Sequence, residues 1–85
     1  MNDEKLLAKA LEKHDLYVIA WTKHFGRSLI VVKRKKSSPK PGIYGAIFEM
    51  IYDVMKDDEP IMYIDKPISY AELCIKIDLE MENAL

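Results

Sequence analysis

The chain of 85 residues contains little of several residue types that mark whole classes of protein. Its single cysteine, Cys74, cannot form an internal disulfide, which excludes a disulfide-stabilised scaffold and predicts a reducing compartment. The three glycines are dispersed, so the sequence contains no glycine-rich phosphate loop. No apolar run is long enough to span a bilayer, and the N-terminus has no signal-peptide pattern. The sequence therefore predicts a soluble, cytoplasmic protein.

The side chains that carry most enzyme and metal chemistry are also sparse. His14 and His24 belong to different predicted elements, and neither has the second histidine or cysteine at i+3 or i+4 that is typical of a zinc site. Near Cys74 in the sequence, only Lys76 is available to activate the thiol, so we expect a small buried side chain rather than a nucleophile. The sequence predicts no enzymatic activity, no catalytic residue, no metal and no cofactor.

Charge is the property that the chain has in excess, and it is distributed unevenly. Residues 1–41 contain ten Lys and Arg against four Asp and Glu, a net charge of +6. Residues 42–85 contain three against ten, a net charge of −7, so the overall charge of −1 hides two oppositely charged halves. Such an asymmetry shapes the electric field that a partner meets, but it specifies no chemistry.

Hydrophobic periodicity predicts a single small α+β domain over residues 1–85. Apolar residues recur at helical spacing as far as His14. The segment 16–22 is rich in aromatic and β-branched residues, and a second such segment starts near Ser28, so we expect a β-hairpin. Two prolines, two serines and a glycine predict a loop over residues 35–42.

The second half of the chain predicts a helix, a short strand and one ambiguous segment. Apolar residues recur at helical spacing from Ile43, and this helix must end before Pro60. A short strand follows over residues 61–65. Within residues 70–82, the apolar residues from Leu73 to Met81 recur at every second position as in a strand, yet Ser69 opens a capping box and the apolar residues also share a helical face. We favour the helix, which gives the order αββαβα with an antiparallel-type sheet of three strands, and keep αββαββ as the alternative.

Two triplets resemble the motif that names the GIY-YIG endonuclease family. They are Gly42-Ile43-Tyr44 and Tyr63-Ile64-Asp65. The resemblance would imply nuclease activity, but it covers six residues only. The family's second triplet ends in glycine and is followed by a helix that carries an arginine, whereas this chain has Asp65 and no arginine after Arg34. The first triplet also falls in a predicted helix, where the family has a strand. We therefore do not assign the chain to that family.

The basic half contains a candidate nucleic-acid-binding segment, which lies at the end of the predicted hairpin and in its loop: Lys33, Arg34, Lys35, Lys36 and Lys40. Clustered cations bind phosphates by releasing counterions. Tyr17, Trp21 and Phe25 have rings that can stack on bases, although their apolar neighbours predict a place in the core. Lysines of this kind also protect edge strands from aggregation. Because the cations are clustered, we nevertheless keep nucleic-acid binding by residues 23–40 as the alternative function.

The acidic half contains the favoured candidate site, formed by Glu49, Asp53, Asp57, Asp58 and Glu59. The first three recur at i, i+4 spacing along the predicted second helix, and the last three put negative charge at its C-terminus, where the helix dipole disfavours it. The summed cost is about 1 to 2 kcal/mol before screening. Either the basic hairpin neutralises these carboxylates within the molecule, or a basic partner does.

We favour the partner, because regularly spaced carboxylates on a rigid helix can occupy a groove that normally binds nucleic-acid phosphates. The sequence thus predicts a non-enzymatic interaction protein that docks its acidic helix face on a basic, nucleic-acid-binding protein and acts as an inhibitor or regulator. Small size, few motifs and a composition rich in lysine and isoleucine are typical of proteins that phages and mobile elements encode.

Overall fold

The structure is a computed structural model, which describes residues 2–23, 26–35, 41–45 and 48–83. In chain order the elements are α1 (Asp3–His14), β1 (Leu16–Lys23), β2 (Gly26–Lys33), β3 (Ile43–Gly45), α2 (Phe48–Met55), β4 (Glu59–Ile64) and α3 (Tyr70–Asn83). The α+β class predicted from the sequence is confirmed. Within the described ranges, no helix combines the length and the apolarity that crossing a membrane requires.

Helix α1 begins and ends at caps that its sequence supplies. The Asn2 side chain accepts a hydrogen bond from the backbone N–H of Glu4 at 2.9 Å, which satisfies one of the first-turn donors. At the other end Asp15 adopts the left-handed conformation, with φ of 56°, and its N–H donates to the carbonyl of Glu12 at 3.2 Å. Aspartate tolerates this conformation better than most residues. The chain therefore turns sharply from α1 into β1.

The four strands form one mixed sheet in the order β3-β1-β2-β4. Strands β1 and β2 make the predicted antiparallel hairpin, in which Leu16 lies opposite Lys33. Strand β4 is antiparallel to β2, with a register shift between Val31 and Val32. Strand β3 is parallel to β1, with Ile43 opposite Val18. The central position of β1 and β2 explains why their sequences are apolar on both pleat faces.

Strand β3, which is parallel to β1, corrects the sequence analysis, which predicted a helix from Ile43 and an antiparallel-type sheet of three strands. The helix begins at Phe48, and Ile43–Gly45 instead pairs with the outer edge of β1. The backbone N–H of Val18 donates to the carbonyl of Gly42 at 2.7 Å just before this pairing starts. Backbone N–H and C=O groups at the edge of β1 need hydrogen-bond partners, and a helix starting at Ile43 would not have provided the partners that β3 provides. This need outweighs the local helical periodicity.

Alternate residues of β1 contact two separate apolar clusters, one on each face of the sheet. The first face carries Val18 and packs against the buried side chains of α1 and α3. The second face carries Tyr17 and Ile19, which pack against Ile51 of α2. The fold therefore has three layers: the helix pair α1 and α3, the sheet, and α2. Because α2 has only eight residues, it covers less of the sheet than the helix pair does.

The final segment is a helix, as predicted, and its apolar residues divide between two environments. Ser69 Oγ accepts a hydrogen bond from the N–H of Glu72 at 3.1 Å, which is one half of the predicted capping box. Ile77 of α3 is fully buried, whereas Ile75 is 60% exposed and Leu79 is 55% exposed. The polarity alternation arises because apolar residues occupy both the core face and the solvent face of α3.

Two matched substitutions on α3 test this assignment. Ile77→Ala should lower the free energy of unfolding by about 2 to 5 kcal/mol, because it leaves a cavity in the core. Ile75→Ala should change it by less than about 0.5 kcal/mol, because this side chain is mainly in water. Urea denaturation of both variants measures the difference. Similar losses at the two positions would favour the alternative strand, in which both residues share one face.

Candidate functional site

The five acidic residues predicted to bind a partner occupy three consecutive elements rather than one helix. Since α2 ends at Met55, Glu49 and Asp53 lie on the helix, Asp57 and Asp58 lie in the turn that follows, and Glu59 begins β4. Asp53, Asp57 and Glu59 are exposed and Asp58 is half-buried, whereas the side chain of Glu49 is outside the described part of the structure. The predicted row of three carboxylates along one helix is thus two carboxylates on α2 and one beyond its end.

Asp58 is bound inside the molecule by groups from β1 and from the end of β2. The hydroxyl of Tyr17, a fully buried residue, donates to Asp58 Oδ2 at 2.7 Å. The backbone N–H of Lys35 donates to Asp58 Oδ1 at 2.9 Å. The Tyr17 hydroxyl also lies 3.3 Å from the carbonyl oxygen of Val54. One carboxylate therefore joins the centre of the sheet, the end of β2 and the turn after α2.

The environment of Tyr17 favours the neutral phenol. Burial raises the pKa of Tyr17 well above its usual range, and the hydrogen bond to Asp58 and the negative charge of that carboxylate raise it further. A phenolate at this position would lose its solvation and would face a carboxylate at hydrogen-bond distance. The Tyr17 hydroxyl therefore keeps its proton and donates a hydrogen bond to Asp58.

Part of the basic segment is paired with acidic residues of the same chain. Lys35 Nζ lies 3.5 Å from Glu59 Oε2, and Arg34 Nη1 lies 3.1 Å from Asp15 Oδ1. These partly exposed pairs add little to stability, but they reduce the positive potential that a phosphate would meet. Lys33 is half-buried, and Lys36 and Lys40 lie outside the described residues. Internal charge pairing, which the sequence left open, thus applies to Glu59, whereas Asp58 accepts hydrogen bonds from the neutral hydroxyl of Tyr17 and the backbone N–H of Lys35.

The outer face of α2 carries two large apolar side chains that sequence reasoning did not place there. Tyr52 is 72% exposed, and Met50, one of the apolar residues that recur at helical spacing from Ile43, is 51% exposed. Ile51 of α2 is buried against the sheet, and Val54 and Met55 are partly buried against the same cluster. A helical wheel centred on Ile51 puts Asp53 on the outer side, between Met50 and Tyr52 in direction. The sequence would have predicted this outer position of Asp53 if Ile51 had been taken as the centre of the core face.

His14 and Cys74 have surroundings that are typical of structural residues and not of a reactive site. His14 Nε2 lies 3.3 Å from Asp78 Oδ1 and so links α1 to α3. Burial raises the pKa of the Cys74 thiol, as does the negative charge of Asp78, which is opposite to what activates a nucleophile. Among the side chains that the structure describes, no group of three His, Cys, Asp or Glu could hold a metal ion. His24 itself is not among the described residues.

The three aromatic residues considered for base stacking have different positions. Tyr17 is fully buried, as its apolar neighbours predict, and has no surface to offer to a base. Trp21 is half-buried on the second face of the sheet, and Phe25 lies outside the described residues. Of these three, therefore, only Trp21 has a described ring that solvent reaches.

No family model, curated protein or solved structure matches the chain. Two residues of each triplet that resembles the GIY-YIG motif do lie on a strand, and the predicted start of a helix at Ile43 was wrong. However, they lie on β3 and at the end of β4, which are opposite edges of the sheet with β1 and β2 between them. The two triplets therefore do not form neighbouring strands.

Tyr17→Phe tests the link to Asp58 through its pH dependence. At neutral pH the variant should lose about 1 to 2 kcal/mol of unfolding free energy, because the hydrogen bond to Asp58 is gone. The folded-state pKa of Tyr17 is raised, so its contribution is fully present below the unfolded pKa of about 10 and is lost at higher pH. Denaturant titrations should therefore show wild type and variant converging above about pH 10. A gap that stays constant up to that pH and beyond would contradict the link.

Proposed function

We propose that the protein is a non-enzymatic interaction module that docks the outer face of α2 on a basic protein partner in the cytoplasm of its host cell. The observation that carries this proposal is the exposed Tyr52 next to the exposed carboxylate of Asp53. Tyrosine is enriched among the residues that contribute most to protein interfaces, and carboxylates around such a residue accelerate association with a basic surface.

The division of the acidic residues supports the same face. Asp58 and Glu59 contact Lys35 within the chain, so their charges are partly used by the fold. Asp53 is exposed on α2, and Glu49 lies one helical turn before it. A rigid helix that holds carboxylates at such intervals suits a groove that binds phosphates, so the proposed partner is a nucleic-acid-binding protein that this module inhibits or regulates. We also propose that a phage or another mobile element encodes the protein.

The alternative, nucleic-acid binding through Lys33, Arg34, Lys35, Lys36 and Lys40, has less support from the described contacts. Arg34 and Lys35 form ion pairs with Asp15 and Glu59, which lie beside the segment. A phosphate would have to displace or share these carboxylates. The alternative predicts that capture of any partner depends on nucleic acid, so one experiment separates the two functions.

The test is affinity capture from the native host with the wild-type protein and the triple variant Glu49→Gln, Asp53→Asn and Asp57→Asn. The wild-type protein should still capture its protein partner after nuclease treatment. The triple variant should associate with that partner about tenfold more slowly, and its association rate should depend less on salt.

Tyr52→Ala should weaken binding of the partner by about 1 to 2 kcal/mol without loss of stability, because the ring of Tyr52 is mainly in water. Surface plasmon resonance measures both effects.

A matched control removes three carboxylates from another surface of the protein. Glu72, Glu80 and Glu82 are exposed on α3, which packs on the first face of the sheet, opposite α2. Their replacement by glutamine changes the net charge by the same amount as the triple variant on α2 does. If both triple variants slow association equally, overall charge and not the α2 face attracts the partner. Loss of the captured partner on nuclease treatment would instead support the nucleic-acid alternative.

A further inference from the structure

The second face of the sheet carries an aromatic pair that is distinct from the outer face of α2. Trp21 of β1 and Tyr63 of β4 have ring centroids 6.0 Å apart, with an angle of 39° between the ring planes. Their strands are separated by β2, and Ser28 of β2 lies directly opposite Trp21. Because serine is small, the two rings meet above β2. Tyr63 is 53% exposed, so solvent reaches this pair.

A carboxylate is fixed beside this aromatic pair. Ser28 is fully buried, and its hydroxyl donates to Asp65 Oδ1 at 2.6 Å. Asp65 follows Tyr63 by two residues at the end of β4, so both belong to the same side of the strand. Asp65 itself is exposed, and its carboxylate has further acceptor capacity on Oδ2. We call Trp21, Tyr63, Ser28 and Asp65 the ring-pair site.

The chemistry of the ring-pair site is complementary to a cation. The faces of tryptophan and tyrosine rings attract ammonium and guanidinium groups, and a carboxylate fixed by a buried donor accepts their N–H groups. Arginine fits better than lysine, because its planar guanidinium stacks on a ring while its edge donates two hydrogen bonds to a carboxylate. A nucleotide could also stack on the rings, but its phosphate would meet Asp65.

We infer that the ring-pair site binds an arginine side chain of the basic partner, an inference that rests on the proposed function. Trp21 packs against the same apolar cluster as Ile51 of α2, so the site and the helix lie on one side of the sheet. A basic protein surface that docks on α2 would therefore also face the ring-pair site. Its arginine would be held by stacking and by Asp65, which adds specificity to the attraction that the α2 carboxylates provide.

The experiment uses the free arginine side chain as its probe, so that the outer face of α2 is not involved. Trp21 is the only tryptophan of the chain, and its fluorescence and its indole N–H signal in NMR therefore report on this site alone. Acetyl-arginine amide should shift both signals saturably, with a Kd on the order of millimolar. Acetyl-citrulline amide, which has the same shape without the charge, should bind at least about tenfold more weakly.

Two pairs of variants separate the site from structural effects. Asp65→Asn should weaken arginine binding about tenfold, whereas Glu80→Gln, which removes one exposed carboxylate from α3 on the other face of the sheet, should leave it unchanged. Tyr63→Leu should weaken it while Tyr63→Phe, which keeps the ring, should not. Equal binding of citrulline and arginine, no effect of Asp65→Asn in a folded protein, or tighter binding of oligothymidylate than of arginine would each overturn the inference.

The result is independent of the test of the proposed function. If arginine binds as expected but the triple variant of α2 captures the partner normally, the ring-pair site stands and the docking face is wrong. If the probe fails while the triple variant loses its partner, the docking face stands and the ring-pair site is wrong.

Discussion

The hydrogen bond between the buried Tyr17 hydroxyl and Asp58 is the constraint on which the second face of the sheet depends. Tyr17 brings a polar atom into an apolar cluster, and that atom needs a partner because an unsatisfied buried hydroxyl costs about 1 to 3 kcal/mol. Asp58 supplies the partner from the turn after α2 and also accepts the Lys35 N–H from the end of β2. One carboxylate thus ties the turn after α2 to β1 and to the end of β2.

This constraint gives the acidic residues of the chain two separate roles. The carboxylates nearest to the end of β2 are used for internal contacts, and they neutralise part of the basic segment that looked suited to nucleic acid. The carboxylate of Asp53 on α2 is exposed, adjoins the exposed Tyr52 in the sequence and makes no internal contact among the described residues. The opposite charges of the two halves of the sequence are therefore neither wholly neutralised nor wholly available to partners.

The sequence predicted the elements whose signals are local. The α1 and α3 helices follow from caps and apolar faces, and the hairpin follows from two β-branched segments. It did not predict β3, because Ile43–Gly45 is a strand only through pairing with the edge of β1, which a local period cannot show. For the same reason the bonds from Tyr17 and Lys35 to Asp58 were missed: they join residues 41 and 23 positions apart. The contact of Trp21 with Tyr63 depends likewise on the strand order.

The central claim, that Asp58 serves the fold whereas Asp53 does not, is tested most directly by the unfolding free energies of Asp58→Ala and Asp53→Ala. Each variant removes one carboxylate from the same acidic region, so changes in net charge are equal. The account predicts a loss of about 1 to 3 kcal/mol for Asp58→Ala, because two hydrogen bonds lose their acceptor, and less than about 0.5 kcal/mol for Asp53→Ala. Equal losses, or a larger loss for Asp53→Ala, would contradict it.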